Sequence, residues 1–486
     1  MQTLLDLFRK MESEYAPRIA LNWLEDEDEL VHSKSYADFC EDIRRCVSYL
    51  RQELESLDGS THIALLARSS YDYVVMDFAI LLSGAVSVPL NYEKSPEELR
   101  YELSHADVAV LVHDGNYEER EGSLSTIFTG RLLGIGDYHP CAPADALPDA
   151  LDPNALAMIL YTSGTTGRSK GVMHSHASIM SAALNNVGAN LPVRALLGKK
   201  PGETVSELSV APFYHVCSHD RIFGHMVQGD PINVCTDSLL FSRAMVEMDS
   251  QYLLAFPVIY ELLCRYVRSG KTERLGALRV LASCGAPINP DIMSHLADRH
   301  FGFANGYGLT ETFGSGCQNY SFDISRIESI GPVQPHMEHR ILESGELLLR
   351  GGSLMMGYYN DPQSTAEVID GDGWFHTGDL VRQDEEGYLY ITGRCKNLII
   401  LSSGENINPE ELEALLIRCE DIEEALVKEK DKKLCAVIFC QEDRQDAVRG
   451  FITAMNRNLP RYKQVNLVEF SPNPLPRTSN GKLRRS

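Results

Sequence analysis

Residues 161–171 read Tyr-Thr-Ser-Gly-Thr-Thr-Gly-Arg-Ser-Lys-Gly. Residues this small cannot fill a core, but their backbone N–H groups can approach an anion closely. Thr162, Ser163, Thr165, Thr166 and Ser169 add hydroxyl donors, Gly164 and Gly167 remove bulk, and Lys170 adds a cation. That set suits the holding of phosphate. Most short Gly/Ser/Thr stretches are solvated turns. Here the length, the lysine and the apolar run before it, residues 156–160, outweigh that reading. A Walker-type loop needs G-x-x-x-x-G-K-[ST]. This chain has Gly164-x-x-Gly167-x-x-Lys170-Gly171 with no hydroxyl residue after the lysine, so the loop is of another kind.

Other stretches carry reactive side chains at loop-like positions. Residues 283–287, Ser-Cys-Gly-Ala-Pro, end an apolar run, and residues 305–312 read Asn-Gly-Tyr-Gly-Leu-Thr-Glu-Thr. Ligands of doubly wound sheets sit at the carboxyl ends of strands, and the glycines in both stretches permit flat packing against a purine. Asp379 sits in a turn and Arg394 ends a strand-like segment across a predicted hairpin. The carboxylate there can hold two hydroxyls at once, and the Arg394 guanidinium could do the same. The tail, residues 474–482, carries two prolines and ends on Lys482. A disordered basic tail is the default for such a segment.

The elements that must position these residues follow from the pattern. With 486 residues, two or three cores are expected. A hydrophobic fraction of 44% and a charged fraction of 23% are those of a soluble globular protein. No run of eighteen apolar residues predicts a membrane span. The first residues read as an amphipathic helix, with no export signal. Twelve cysteines lack C-x-x-C pairing and are expected as free thiols in a reducing cytoplasm. The net charge of −23 argues against nonspecific binding to nucleic acid or anionic membrane. Residues 36–50, 74–82 and 95–104 have helical spacing, and 62–66, 85–90 and 108–112 read as strands, so the first half predicts a parallel, doubly wound sheet. Residues 137–153 read as a surface linker. Strands at 205–212 and 278–284 and helices at 222–228 and 258–269 continue the alternation to about 330. Short strands between turns then predict an antiparallel, barrel-like section to 394. Beyond it comes a small α+β unit: strand 397–401, helix 409–418, strands 422–428 and 433–440, helix 444–458 and strand 465–470. The expected organisation is a large N-terminal domain, 1–394, and a smaller mobile α+β domain, 395–486.

The loop at 161–171, the two glycine-bearing stretches, the Asp379 and Arg394 pair and the tail lysine occur in an order that resembles the adenylate-forming superfamily. That group includes acyl-CoA synthetases, adenylation domains of nonribosomal synthetases and beetle luciferases. The resemblance runs from about residue 10 to 485. It implies an AMP-binding ligase that uses ATP, Mg²⁺ and CoA. A carboxylic acid becomes acyl-AMP and is then passed to a thiol. By that resemblance Thr162, Ser163, Gly164, Thr165, Thr166, Gly167 and Lys170 cradle the phosphates. Gly285, Ala286, Pro287, Asn305, Gly306, Tyr307 and Gly308 surround adenine. Thr310 contacts phosphate and Glu311 binds the metal. Asp379 and Arg394 clamp the ribose, and Lys482 bridges the carboxylate and the α-phosphate. Lys396 stands at the hinge, where many relatives have Asp. Ser403, Gly404 and Glu405 line the tunnel of the thiol acceptor, and the C-terminal domain is somewhat short.

His215 falls in the segment that resembles the family's aromatic-His stretch at the acyl pocket and is carried over as a catalytic-site residue. Amino-acid-activating relatives place an Asp near here. Tyr214 and His215 stand in that stretch instead, which disfavours an α-amino acid substrate. Phe223, Met226 and Val227 are candidates for an apolar pocket. Asp220 and Arg221 resemble an acid–Arg pattern of long-chain acyl-CoA synthetases or form a structural pair. The expected function is therefore activation of a fatty or other non-amino acid and transfer to CoA. An acyl carrier protein bearing phosphopantetheine is the alternative acceptor, and a non-catalytic adenylate-binding homologue is the alternative from another class. The acidic chain would repel ATP at long range, so binding must rest on Lys170, Arg394, Lys482 and the metal.

Overall fold

A computed structural model describes all residues except 26–29, 145–146, 163–168, 201, 236, 238, 256, 284–291, 293–294, 297–300, 401–405, 431–432, 478–482 and 484–486. It divides into two compact units, residues 1–338 with 350–373, and residues 339–349 with 374–486.

The first unit is built on two large sheets. In the seven-stranded sheet the order is Gly357–Tyr358, Gly171–Ser175, Leu156–Tyr161, Val86–Pro89, His62–Leu66, Val110–His113 and Arg131–Gly134. The last five run parallel to one another, whereas Gly171–Ser175 pairs antiparallel with both of its neighbours. The second sheet has eight strands: Gly316–Asn319, Gly302–Gly308, Val280–Ser283, Tyr252–Ala255, Glu207–Ser209, Ile232–Val234, Ile19–Leu24 and Val31–Ser35. Its six inner strands are parallel and both edge pairs are antiparallel. The doubly wound expectation thus describes the sheet interiors. Three of the four edges close with antiparallel strands, and in the eight-stranded sheet short connections reach both of them without a crossover helix.

Helices fill the space between the sheets. Helix Tyr71–Ser83 is apolar around nearly its whole circumference and is buried accordingly. Helices Leu4–Glu14, Tyr36–Glu53 and Pro96–His105 each start with a capping box, at Thr3, Ser35 and Ser95. Such boxes satisfy two of the orphan N–H groups at a helix start and contribute about 1 kcal/mol each. Leu4, Phe8, Phe39, Phe78, Phe223 and Phe313 meet in one core. Two expectations shift. The strand predicted at 205–212 is only Glu207–Ser209. The helix predicted at 222–228 begins at Val216, and its polar first turn hid it from a reading of apolar spacing.

The second unit carries most of a four-stranded sheet of Met337–Ile341, Glu346–Gly351, Phe375–Gln383 and Leu389–Arg394 at the section expected to be barrel-like. Its C-terminal part is a three-stranded sheet, Glu424–Lys430, Lys433–Phe439 and Leu467–Ser471, with helices Pro409–Leu416 and Gln445–Arg457. Leu412, Leu416, Val427, Ile438, Val448 and Ile452 form its core. Among the described residues no helix is long and apolar enough to cross a membrane.

Candidate nucleotide site

The glycine- and hydroxyl-rich loop springs from a hairpin. Leu156–Tyr161 and Gly171–Ser175 pair so that Tyr161 faces Gly171, and the Thr162 N–H donates to the Lys170 carbonyl at 3.0 Å. Those bonds pinch the loop at its base. Ser163, Gly164, Thr165, Thr166 and Gly167 lie outside the described residues. Helix Pro96–His105 fixes the base from the side. Ser169 Oγ donates to Glu102 Oε1 at 2.5 Å, and Tyr161 Oη donates to the Glu102 carbonyl at 3.1 Å. The Glu102 side chain is fully buried and ion-paired with Lys94, which supplies the charge that a carboxylate removed from water requires.

Thr310 and Glu311 occupy a single helical turn, Thr310–Thr312, after strand Gly302–Gly308. The chain reverses sharply there. Phe313 has φ 50°, and a Cβ at Gly308 would collide with the Gly314 carbonyl, so that position requires glycine. Three contacts hold the turn. His174 Nε2 donates to the Thr310 carbonyl at 2.7 Å, the Met355 N–H donates to the Glu311 carbonyl at 2.8 Å, and Tyr358 Oη donates to Glu311 Oε1 at 2.8 Å. Burial lowers His174 to a pKa of about 4, so the ring is neutral and keeps its N–H for Thr310. Burial, then the neighbouring Glu311 carboxylate, raises the Tyr358 phenol, which stays a protonated donor. The Lys170 ammonium stands 4.7 Å from the centroid of the same Tyr358 ring. One tyrosine therefore touches the loop's cation and the turn's acid.

Asn305, Gly306, Tyr307 and Gly308 lie on the strand beside Val280–Ser283, with Asn305 opposite Ser283. Asn305 Nδ2 donates to the Ser329 carbonyl at 3.2 Å and Tyr307 is buried. Gly285, Ala286 and Pro287 lie outside the described residues.

His215 immediately precedes helix Val216–Gln228. Burial, then Lys94 and His219, lowers it to about 4, so its imidazole is neutral. Phe223, Met226 and Val227, expected to line an apolar pocket, instead pack into the main core with Phe78 and Leu4. The apolar face of that helix is spent on folding. Asp220 and Arg221 do not pair with each other. Asn186 Nδ2 donates to Asp220 Oδ1 at 2.7 Å, and Arg221 Nε donates to Glu207 Oε2 at 2.8 Å. Burial raises Asp220 to about 7.

In the second unit Asp379 and Arg394 occupy facing positions of the hairpin Phe375–Gln383 and Leu389–Arg394. Arg394 Nε lies 2.7 Å from Asp379 Oδ1, with side-chain exposures of 37% and 2%. Lys396 lies in the short helical turn Cys395–Asn397. Ser403, Gly404, Glu405 and Lys482 lie outside the described residues. The chain on either side of residues 478–482 is tied down. Arg477 and Leu483 form an isolated bridge, and Arg477 pairs with Glu424 at 2.5 Å.

Sequence reading missed Tyr358, His174 and Glu102. Each acts on a residue it did identify, and none belongs to a local motif. Tyr358 is 47 positions from Glu311 and Glu102 is 67 from Ser169, so only the fold brings them together.

Two mixed sheets carrying a loop of this kind, followed by a small α+β part, define the class of adenylate-forming synthetases. A family model for AMP-binding enzymes matches residues 8–359, and the chain belongs to that family. Feruloyl-CoA synthase from Amycolatopsis sp. is 28% identical over 485 residues, covering 92% of each chain. The Mycobacterium tuberculosis fatty acyl CoA synthetase superimposes with a TM-score of 0.77 at 23% identity, covering 99% of this chain and 97% of that one. O-succinylbenzoate coenzyme A synthetase from Bacillus subtilis, solved with ATP and magnesium ion, gives 0.79 at 23%, covering 99% and 98%. The protein is an enzyme, and these relatives are acid–thiol ligases.

Proposed function

We propose that this chain activates a carboxylic acid with ATP and passes the acyl group to CoA. The acid's carboxylate oxygen bonds to the α-phosphorus while the bond to the bridging oxygen of the β-phosphate breaks, releasing pyrophosphate. The CoA sulfur then attacks the acyl carbon and AMP departs. Catalysis of the first step consists mainly of positioning and of charge neutralisation on phosphate oxygens. One observation carries the reading: Lys170 and Glu311 are held against a single buried tyrosine at the base of the phosphate-suited loop.

Lys170 and the loop from Thr162 to Gly167 bind the triphosphate, Thr310 meets the α-phosphate, and Asn305 to Gly308 with residues 285–287 receive adenine. Asp379 and Arg394 bind the ribose, Lys482 is the second cation at the reacting atoms, and His215 stands at the acyl group. No cluster of three or more His, Cys, Asp or Glu side chains suited to a metal occurs among the described residues. A single acid, Glu311, fits an ion that retains phosphate and water ligands, as Mg²⁺ does. Bound Mg²⁺ would screen the triphosphate and the departing pyrophosphate. The moving part begins at Lys396, with Ser403, Gly404 and Glu405 beside the incoming thiol. The acid lacks an α-amino group and is fatty, aromatic or alicyclic; feruloyl, fatty acyl and o-succinylbenzoyl ligases are among the similar proteins. A cytoplasmic setting fits the free thiols found among the described residues.

ATP–pyrophosphate exchange over fatty, aromatic and amino acids tests the reading, followed by thioester yield with CoA against a holo-carrier protein. Exchange with a non-amino acid and transfer to CoA are expected. Exchange with none would mean an adenylate-binding protein without catalysis, and transfer only to carrier protein would overturn the CoA assignment.

A further inference from the structure

Tyr358 touches both charged ends of the candidate site and belongs to neither motif. Its hydroxyl donates to Glu311 Oε1 at 2.8 Å, and the Lys170 ammonium lies 4.7 Å from its ring centroid. Among the described residues no ion pair joins Lys170 to Glu311. A direct pair would neutralise both before any nucleotide arrived. The ring attracts the cation through its face and the phenol binds the acid at its edge, so each keeps its charge and a defined place. A carboxylate has about four acceptor sites, and one bond to Tyr358 leaves the others for a cation.

The backbone around Tyr358 is tied to the same two partners. Gly357 and Tyr358 pair with Met173 and Val172, and the Tyr359 N–H donates to the Gly171 carbonyl at 2.7 Å. The Met355 N–H reaches the Glu311 carbonyl at 2.8 Å. Thr365 Oγ1 accepts from the Tyr358 N–H at 2.9 Å. Gly357 has φ 138°, and a Cβ there would lie 2.9 Å from Thr365 Cγ2, so the turn that aims Tyr358 accepts only glycine. Tyr358 itself is 7% exposed. Segment 355–359 thus grips the exit of the phosphate loop with one bond and the acid with two.

We propose that Tyr358 is a positioning residue that sets the spacing between the triphosphate cation Lys170 and the metal-binding acid Glu311. This rests on the adenylation reading above. Preset donors and charges need no reorganisation when charge develops, which is where such a residue contributes.

The test uses the full chain and two affinities: Mn²⁺ by electron paramagnetic resonance with a non-hydrolysable ATP analogue present, and the same analogue alone, in chelator, by calorimetry. Tyr358→Phe keeps the ring and loses the hydroxyl. It is expected to weaken Mn²⁺ binding about 10- to 100-fold, the effect of one hydrogen bond to a charged group, and to leave metal-free nucleotide affinity within about twofold. Tyr358→Leu also loses the ring face and is expected to weaken metal-free nucleotide about fivefold. Thr365→Val, which frees the Tyr358 N–H without touching ring or hydroxyl, should shift Mn²⁺ affinity in the same direction by a smaller factor; it carries the test if Tyr358→Phe does not fold. A merely structural tyrosine would lower the melting temperature and leave the ratio of the two affinities unchanged, and that result overturns the proposal. So does wild-type Mn²⁺ affinity in Tyr358→Phe. Absence of nucleotide binding by the wild type would instead bring down the adenylation reading and this inference with it.

Discussion

Two acid–base sets in this molecule solve opposite problems. Asp379 and Arg394 meet directly at 2.7 Å across facing hairpin positions. Lys170 and Glu311 each contact one tyrosine, Tyr358, at its ring and at its hydroxyl, and no ion pair between the two is found among the described residues. The first pair spends its charge on itself and so stabilises its hairpin; on the proposed function it would share its donors with a ligand's hydroxyls. On the same proposal the second set would stabilise little and keep its charge for a ligand. The difference predicts which substitutions damage activity and which damage the fold. The largest effect should come from the open set. Lys170→Met should reduce ATP–pyrophosphate exchange by about 10²- to 10³-fold, the loss expected from one preset charge-stabilising group, while the melting temperature stays within about 2 °C. Exchange within tenfold of wild type would erase the functional side of the contrast.

The closed pair should show the reverse balance, and unequally for its two members. Arg394→Met removes the guanidinium from a carboxylate that is only 2% exposed, and should cost about 3 kcal/mol of stability. Asp379→Asn leaves a guanidinium that is 37% exposed and can turn to water, and should cost about 1 kcal/mol. Denaturant unfolding of both variants measures the asymmetry, and equal costs would mean that burial does not decide it.

How much of this was legible depended on whether the chemistry was local. The loop at 161–171 could be read because its residue types sit side by side, and Asp379 with Arg394 because a hairpin brings short separations face to face. The inner strands were legible as apolar runs. Helix Val216–Gln228 was read only in its apolar half, and its apolar residues were then assigned to a ligand pocket when the core had taken them. An apolar side chain has the same signature in a core and in a pocket, so spacing alone could not separate them. Tyr358 and His174 left no signal at all, since each gains its meaning from a contact made by folding.

A third carboxylate sharpens the contrast through pH. Asp220 has an amide partner, Asn186, and burial raises its pKa to about 7. An acid raised above its unfolded value of 3.8 favours folding fully below that value, and the contribution is lost as pH rises toward 7. His176 works the other way. Burial lowers it to about 4, so its contribution is present above 6.5 and lost as pH falls toward 4. Asp220→Asn should therefore be more stable than wild type at pH 8, by on the order of 2 kcal/mol, and the advantage should disappear near pH 4. Melting curves of both proteins across that range test it. A pH-independent difference would remove the titration and leave only an amide-for-acid exchange.

The smallest effect is expected at Glu102, which combines the two arrangements. It is ion-paired with Lys94, as Asp379 is with Arg394, and it also accepts from Ser169, a residue of the loop proposed to bind phosphate. Ser169→Ala removes one donor and leaves the ion pair, so no buried charge loses its counter-ion and the stability cost should stay near 1 kcal/mol. The loop loses one of its lateral ties, but the Thr162 N–H bond to Lys170 and the strand pairing at Tyr161 and Gly171 remain. The ordering that Ser169 supplied must then come from nucleotide binding itself. KM for ATP should rise about two- to fivefold with kcat nearly unchanged, as one neutral donor to a charged acceptor allows. A fall in kcat with KM constant would put Ser169 on the transition state and move it from the scaffold of the loop to its chemistry.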